Sequence, residues 1–251
     1  MTVTVIIHTF NEEKNAEECI KSARLLTRNI VVVDMSSTDK TVEIAKKLGV
    51  SVFSFPKSNY VEPAREFGIK QAQTDWVLIM DADERITEAL TKEIRRIDHN
   101  TGCYKIPRKN IFGGIKWLKH GGWWPDYQTR LINKKYFSGW PKRIHSTPLI
   151  KGVTGYLKNP IIHYFHEDIE KMVEKTLIFE DIESDLLYKA KKQTNTFVFF
   201  RKYFAELWRR MFRNLGFLDG SSGIIESIYQ SFSKTITYLF LYEKNSKGRT
   251  L

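Results

Sequence analysis

The sequence predicts an α/β fold, a mixed sheet flanked by helices and followed by a helical C-terminal extension. Three observations predict it. Short β-branched runs alternate with amphipathic stretches over the first hundred residues, the polar and acidic residues Asn11, Asp34 and Asp81 to Asp83 fall where those runs end, and the last third of the 251 residues has helical periodicity. Strands alternating with helices argue for βαβ units and a parallel sheet, whose ligands gather at the carboxyl ends of the strands.

Val3 to His8 reads as the first strand, and Asn11-Glu12-Glu13 opens a helix whose apolar positions are Ala16, Ile20 and Ala23. The pattern repeats. Ile30 to Val33 is an apolar strand ending at Asp34, the loop Ser36-Ser37-Thr38-Asp39 follows, and a helix over Val42 to Leu48 stops at Gly49. Ser51 to Phe55 is a third strand, and a helix through Ala64 to Ala72 precedes Trp76-Val77-Leu78-Ile79-Met80. That run lacks polar alternation, as a strand covered on both faces does. It ends in Asp81-Ala82-Asp83-Glu84.

From Tyr104 to Tyr127 the texture changes: Gly113-Gly114, Gly121-Gly122, Trp117, Trp123, Trp124 and His120 crowd together like a binding loop. Further strands are expected at Tyr104 to Pro107, Thr129 to Ile132 and within Ile161 to Phe165, and a helix from Glu167 to Lys189. On a helical wheel of Phe197 to Leu215, Phe197, Phe200, Phe204, Leu207, Trp208, Met211 and Leu215 share one side, with Arg201, Lys202, Arg209, Arg210 and Arg213 opposite. A Gly-rich break, Gly216 to Gly223, separates it from a second amphipathic stretch, Ile224 to Tyr242. The chain thus divides into residues 1–165, made of halves 1–100 and 101–165, and a helical extension 166–251 that contacts a membrane or a second subunit.

With 42% hydrophobic and 27% charged residues the chain holds enough apolar material for a packed core, which excludes a fibrous or disordered protein. The formal charge of +11 is unevenly placed: residues 1–100 carry 14 basic and 16 acidic side chains, residues 101–251 carry 26 and 13. The basic part points to an anionic partner there. No nucleic-acid-binding motif is present, so an anionic membrane surface is the expected one. The two cysteines, Cys19 and Cys103, lie far apart without zinc or disulfide spacing. Neither a signal peptide nor an apolar stretch of about 18 residues is visible, so a cytoplasmic location at the inner face of the cell membrane is expected.

Two carboxylates one residue apart at the end of a buried strand, Asp81 and Asp83, repel each other unless a cation or proton compensates. Mg²⁺ or Mn²⁺ prefers oxygen ligands and takes one or two carboxylates together with substrate phosphates, so the pair suggests a nucleotide diphosphate site. A solvated acidic turn is the bland alternative.

Thr9-Phe10-Asn11-Glu12-Glu13, Val33-Asp34-Met35-Ser36-Ser37-Thr38-Asp39 and Asp81-Ala82-Asp83-Glu84, in that order and spacing, resemble inverting glycosyltransferase family 2 with its GT-A nucleotide-sugar fold. The stretch His120 to Leu131, with Gly216-Phe-Leu-Asp-Gly220, is similar to a subgroup that includes lipopolysaccharide core β-glucosyltransferases. The resemblance implies a UDP-sugar donor, a saccharide or glycolipid acceptor and a divalent metal. It places Thr9, Asn11, Glu13, Asp34, Arg65 and Asp81 around the nucleotide, and Asp83 on the metal with Asp81 beside it. His163 is a further metal ligand or a strand histidine bonded to backbone. Asp126 matches the family's catalytic base, although Pro125 stands where the family often has Glu. Trp123 and Trp124 offer sugar-stacking faces or core packing. Arg130 pairs with Asp126 or a phosphate, or is a surface arginine; it stays outside the catalytic set. A haloacid-dehalogenase-type phosphatase, which also follows an apolar strand with D-x-D, and a non-catalytic nucleotide-sugar-binding protein are the competing readings; a homodimer fits any of them.

Overall fold

The computed structural model of the chain describes residues 2–166 and 169–247. Glu167 and Asp168, where the sequence places the start of a helix, lie outside the described residues. The chain forms two compact units: residues 1–109 with 126–164, and residues 110–125 with 165–251. The second unit therefore begins at Phe165 and also takes in the glycine- and tryptophan-rich segment.

In the first unit, β1 (Val3–Thr9), α1 (Ala16–Ala23), β2 (Ile30–Asp34), α2 (Thr41–Lys47), β3 (Ser51–Ser54), α3 (Glu62–Gln71) and β4 (Trp76–Asp81) follow the predicted alternation. Then come β5 (Glu84–Arg85), α4 (Glu88–Ile94), β6 (Cys103–Phe112), β8 (Asp126–Asn133), β9 (Phe137–Gly139), β10 (Leu149–Ile150), β11 (Thr154–Tyr156) and β12 (Ile161–Phe165), whereas β7 (Lys116–Trp117) falls within residues 110–125 of the second unit. The main sheet runs β3-β2-β1-β4-β8-β6-β12-β5, with β7 and β11 added to β6, while β9 and β10 form a separate pair. It is mixed: β1 is parallel to β2 and β4, and β8 is antiparallel to β4 and β6.

Both faces of this sheet are covered. Val5, Ile7, Leu78 and Met80 join Ile20, Leu90 and Ile94 in one core, and Ile6, Val33, Val77 and Ile79 join Ala64 and Ile69 in another. Successive side chains of β1 and β4 enter opposite cores, which is why neither strand shows polar alternation. Gly68 brings α3 down on the second face; a Cβ there would lie 2.8 Å from Ile6 Cγ2 and 3.1 Å from Val33 Cγ2.

The second unit contains α5 (Ile169–Lys189), α6 (Thr196–Trp208), a π-helical turn (Arg209–Arg213), a 3-10 turn (Gly216–Asp219) and α7 (Gly220–Lys247). The expected helix Phe197 to Leu215 is thus interrupted after Trp208, and Leu215 takes a left-handed conformation, φ +56°. α6 is capped by Asn195, whose side chain accepts from the Val198 amide at 2.9 Å. Asp219 ties the unit together, accepting from the Lys119 and His120 amides at 2.8 and 2.7 Å and lying 2.9 Å from His120 Nδ1. The segments holding His120 and Asp219 therefore meet.

Candidate active site

The register of the first unit decides what shares the sheet's functional edge. Thr9 pairs with Asp34 across β1 and β2, and His8 with Asp81 across β1 and β4, so the carboxyl ends of three parallel strands are level. Because β8 runs antiparallel to β4, with Leu131 opposite Leu78, its first residues lie at that same edge. Asp126, the first residue of β8, faces Arg108 of β6.

Asp34 organises the loops that follow β1 and β2. It is buried, and its Oδ1 accepts from the Thr9 hydroxyl at 2.9 Å and the Ser37 hydroxyl at 2.5 Å, while Oδ2 accepts from the Ser37 amide at 2.9 Å. Asn11, held at φ +53°, donates its amide to Ser37 Oγ at 2.8 Å and accepts from the Thr38 amide at 2.8 Å. Glu13 accepts from the Lys40 amide at 3.1 Å, and Asp39 accepts from the Glu13 amide at 3.0 Å. Thr9, Asn11, Glu13 and Asp34 thus knit the loops after β1 and β2 into one surface.

Beyond them runs a chain of alternating charges. Arg65 of α3 lies 2.7 Å from Asp81 Oδ1, and Arg130 of β8 lies 2.7 Å from Asp81 Oδ2 and 2.6 Å from Glu84 Oε1. Arg108 lies 3.9 Å from Glu84 and closes on Asp126 Oδ2 through Nε at 2.8 Å and Nη2 at 2.7 Å. Gln128 donates to Asp126 Oδ1 at 2.7 Å. Burial pushes the Asp81 carboxyl up, but Arg130 and Arg65 outweigh it and hold it well below the ordinary carboxylate range. Burial likewise pulls Arg130 down, and Asp81 with Glu84 more than reverses it.

His163 Nε2 lies 3.6 Å from Asp83 Oδ2. The Asp83 carbonyl accepts from the Tyr164 amide at 2.9 Å. Among the described residues no group of three or more His, Cys, Asp or Glu side chains gathers closely enough to hold a metal ion. The donor set of Asp83 and His163, one carboxylate and one imidazole, fits a divalent ion whose remaining ligands come from a substrate diphosphate and water. Both oxygens of Asp81 already meet guanidinium groups, of Arg65 and Arg130.

Sequence reasoning passed over His8, Glu84, Arg108 and Arg130 as members of the site. Arg130 is neither a surface arginine nor a partner of Asp126; it is buried between Asp81 and Glu84. Glu84, fully buried, also accepts from the Asp81 amide at 3.0 Å. The available signal was an acid directly after D-x-D, in a chain with arginines spaced to face it from two later strands.

Trp123 and Trp124 belong to the second unit. Trp123 packs on Phe165, centroids 4.9 Å apart, beneath the Arg210 guanidinium, and Trp124 meets Trp117 edge-on at 5.3 Å.

Residues 4–151 match the family model described as Glycosyl transferase family 2. Over 269 residues the chain is 31% identical to an uncharacterized glycosyltransferase of Rickettsia typhi, covering 99% of this chain and 89% of the relative. Among solved structures it resembles Staphylococcus aureus TarS in complex with UDP-GlcNAc (TM-score 0.52, 17% identity, 99% of this chain and 92% of that one). It also resembles the mannosyltransferase PcManGT of Pyrobaculum calidifontis in complex with GDP-Man and Mn²⁺ (TM-score 0.53, 13% identity, 91% and 73%). At these identities the structural likeness concerns the fold, which is of the GT-A kind.

Proposed function

The chain belongs to glycosyl transferase family 2 and is a glycosyltransferase, and from that membership we propose that it moves a hexose, glucose from UDP-glucose, to a saccharide or lipid-linked acceptor of a cell-envelope glycan, with inversion at the anomeric carbon. Membership replaces the phosphatase and non-catalytic readings of the D-x-D run. The first unit is the catalytic domain. The observation that carries the proposal is the unbroken row of ion pairs from Arg65 through Asp81, Arg130, Glu84 and Arg108 to Asp126. It brings the proposed base into one constellation with the acids that follow β4.

Direct displacement needs a carboxylate opposite the leaving diphosphate. Asp126 takes the acceptor hydroxyl proton as the new C1–O bond forms and the bond from C1 to the phosphate oxygen breaks. Arg108 and Gln128 fix the orientation of the carboxylate. Thr9, Asn11, Glu13 and Asp34 shape the nucleoside pocket, with Arg65 and Asp81 behind it. Asp83 and His163 would hold Mg²⁺ or Mn²⁺, which stabilises negative charge on the diphosphate when bound. Trp123 and Trp124, just ahead of Asp126 in the chain, are the proposed acceptor contacts.

Asp126→Asn tests the base: UDP binding is retained while transfer falls by about 10²–10⁴-fold, the usual worth of general-base catalysis. Unimpaired transfer by this variant removes Asp126 from the mechanism.

A further inference from the structure

Besides Ile236, Tyr238 and Leu241, α7 buries a row of small hydroxyl residues. On α7, Ser227, Ser231, Ser233 and Thr237 are buried, while Ile225, Ile228, Phe232, Leu239 and Tyr242 are exposed. The buried groups are hydrogen-bonded. Ser233 donates to Glu180 of α5 at 2.6 Å, Thr237 donates to the other oxygen of the same carboxylate, and Tyr229 meets Thr176 of α5 at 2.7 Å. Ser227 and Ser231 bond carbonyls one turn back along α7. A helical unit in water buries its apolar stripe. Here a seam of small hydroxyl residues joined by hydrogen bonds leaves apolar side chains of α7 facing outward.

α6 adds a directional feature. Phe197, Phe200, Phe204, Trp208 and Phe212 recur every three or four residues, and each is more than half exposed, up to 75% for Phe197. Rows of this size exceed the scattered apolar exposure of ordinary surfaces. Between residues 191 and 213 there are seven lysines and arginines and one acid, Glu206. Glu206 is itself engaged by Arg209 and Arg210. No helix among the described residues is long and apolar enough to cross a membrane, so helices of this kind lie along a bilayer surface instead of through it.

We propose that the second unit is a monotopic anchor that seats the aromatic row of α6 and the apolar outer face of α7 in an anionic phospholipid surface. The exposed cations Lys191, Lys192, Arg201 and Arg213 meet the head groups, and the rings occupy the interfacial zone, where aromatic side chains are favoured. The proposal deepens the proposed function by placing the enzyme where a lipid-linked acceptor resides.

The test is flotation of the full chain with vesicles of phosphatidylcholine alone or mixed with phosphatidylglycerol, with Trp208 emission as a second readout. Flotation with the mixed vesicles only, weakened by salt, and a blue shift of emission that Trp208→Phe removes are expected. Replacing Arg201 and Arg213 by Gln lowers binding roughly fivefold for each cation removed. Phe200→Ser/Phe204→Ser abolishes flotation while the circular dichroism stays native. Asp126→Asn floats as the wild type does, so loss of transfer and loss of binding are separate outcomes. No flotation with either vesicle, equal flotation with both, or a dimer that Phe204→Ser dissociates in a chain that ignores vesicles overturns the proposal.

Discussion

His8 permits a quantitative test of the site's electrostatics. Its imidazole is buried at the end of β1, Nε2 3.3 Å from the Ala64 carbonyl and Nδ1 3.4 Å from Arg65 Nη1. The Ala64 carbonyl only accepts and the guanidinium only donates, so these two contacts suit the neutral Nε2–H tautomer. Burial, reinforced by the Arg65 charge, lowers its pKa from 6.5 to about 3. The unfolded chain therefore takes up a proton that the folded chain refuses; the His8 contribution to stability is complete above the unfolded pKa and declines as the pH falls toward the folded one. At about pH 5 the loss amounts to roughly 2 kcal/mol, or on the order of 4–8 °C in melting temperature. Asp81 leaves this window clear, because a lowered carboxyl pKa keeps its contribution whole above about pH 4. In His8→Gln the amide donates to Ala64 and accepts from Arg65 without titrating. Urea unfolding at about pH 7.5 and 5, followed by circular dichroism, should show a drop about 2 kcal/mol larger for the wild type than for the variant. Equal drops would refute the buried neutral imidazole.

Three further outcomes are expected. Gly68→Ala forces a methyl against Ile6, Val33 and His8, whose Nε2 would lie 3.2 Å away, and lowers stability by about 1–3 kcal/mol; an unchanged melting temperature contradicts the tight seat of α3. Glu84→Gln keeps the shape but leaves Arg130 with one charged partner in a buried site, which costs about 3–5 kcal/mol in urea titration. Arg108→Met releases Asp126 from its two-point clamp, and transfer falls on the order of 10²-fold at unchanged donor KM; a raised KM with normal kcat assigns Arg108 to donor binding instead.

The parallel core was legible because β1, β2 and β4 bury both faces, and such runs cannot be mistaken for amphipathic strands. Val3 to His8 and Trp76 to Met80 became β1 and β4 within a residue or so. The short β5, β9, β10 and β11 were not legible, since two or three residues carry no period. Within the site, Asp34 and Asp81 were readable from their place at strand ends. Glu84, Arg108 and Arg130 were not, because their pairing depends on the register of β6 and β8 against β4, which only tertiary packing sets. The C-terminal periodicity was readable too, but which side of each helix faces out was not: serines and threonines that a wheel scores as polar are satisfied between helices by Glu180.

The charge balance of the site separates the two acids of D-x-D. Arg65, Arg130 and Arg108 are matched one for one by Asp81, Glu84 and Asp126, each within ion-pair distance. On the proposed reading a nucleoside diphosphate brings further negative charge to an edge where Arg65, Arg130 and Arg108 already meet carboxylates, so its binding calls for an added cation, which Asp83 and His163, 3.6 Å apart, would hold. UDP affinity measured by calorimetry should therefore fall at least about tenfold, some 1.4 kcal/mol, when Mn²⁺ is replaced by chelator. Asp83→Asn should erase that difference with the fold intact. Asp81→Asn should retain the manganese response and instead lower the melting temperature, since it leaves Arg65 and Arg130 under-compensated. If Asp81→Asn abolishes the manganese response and Asp83→Asn preserves it, the row of ion pairs rearranges on binding and the division of labour between the two carboxylates is the reverse of the one argued here.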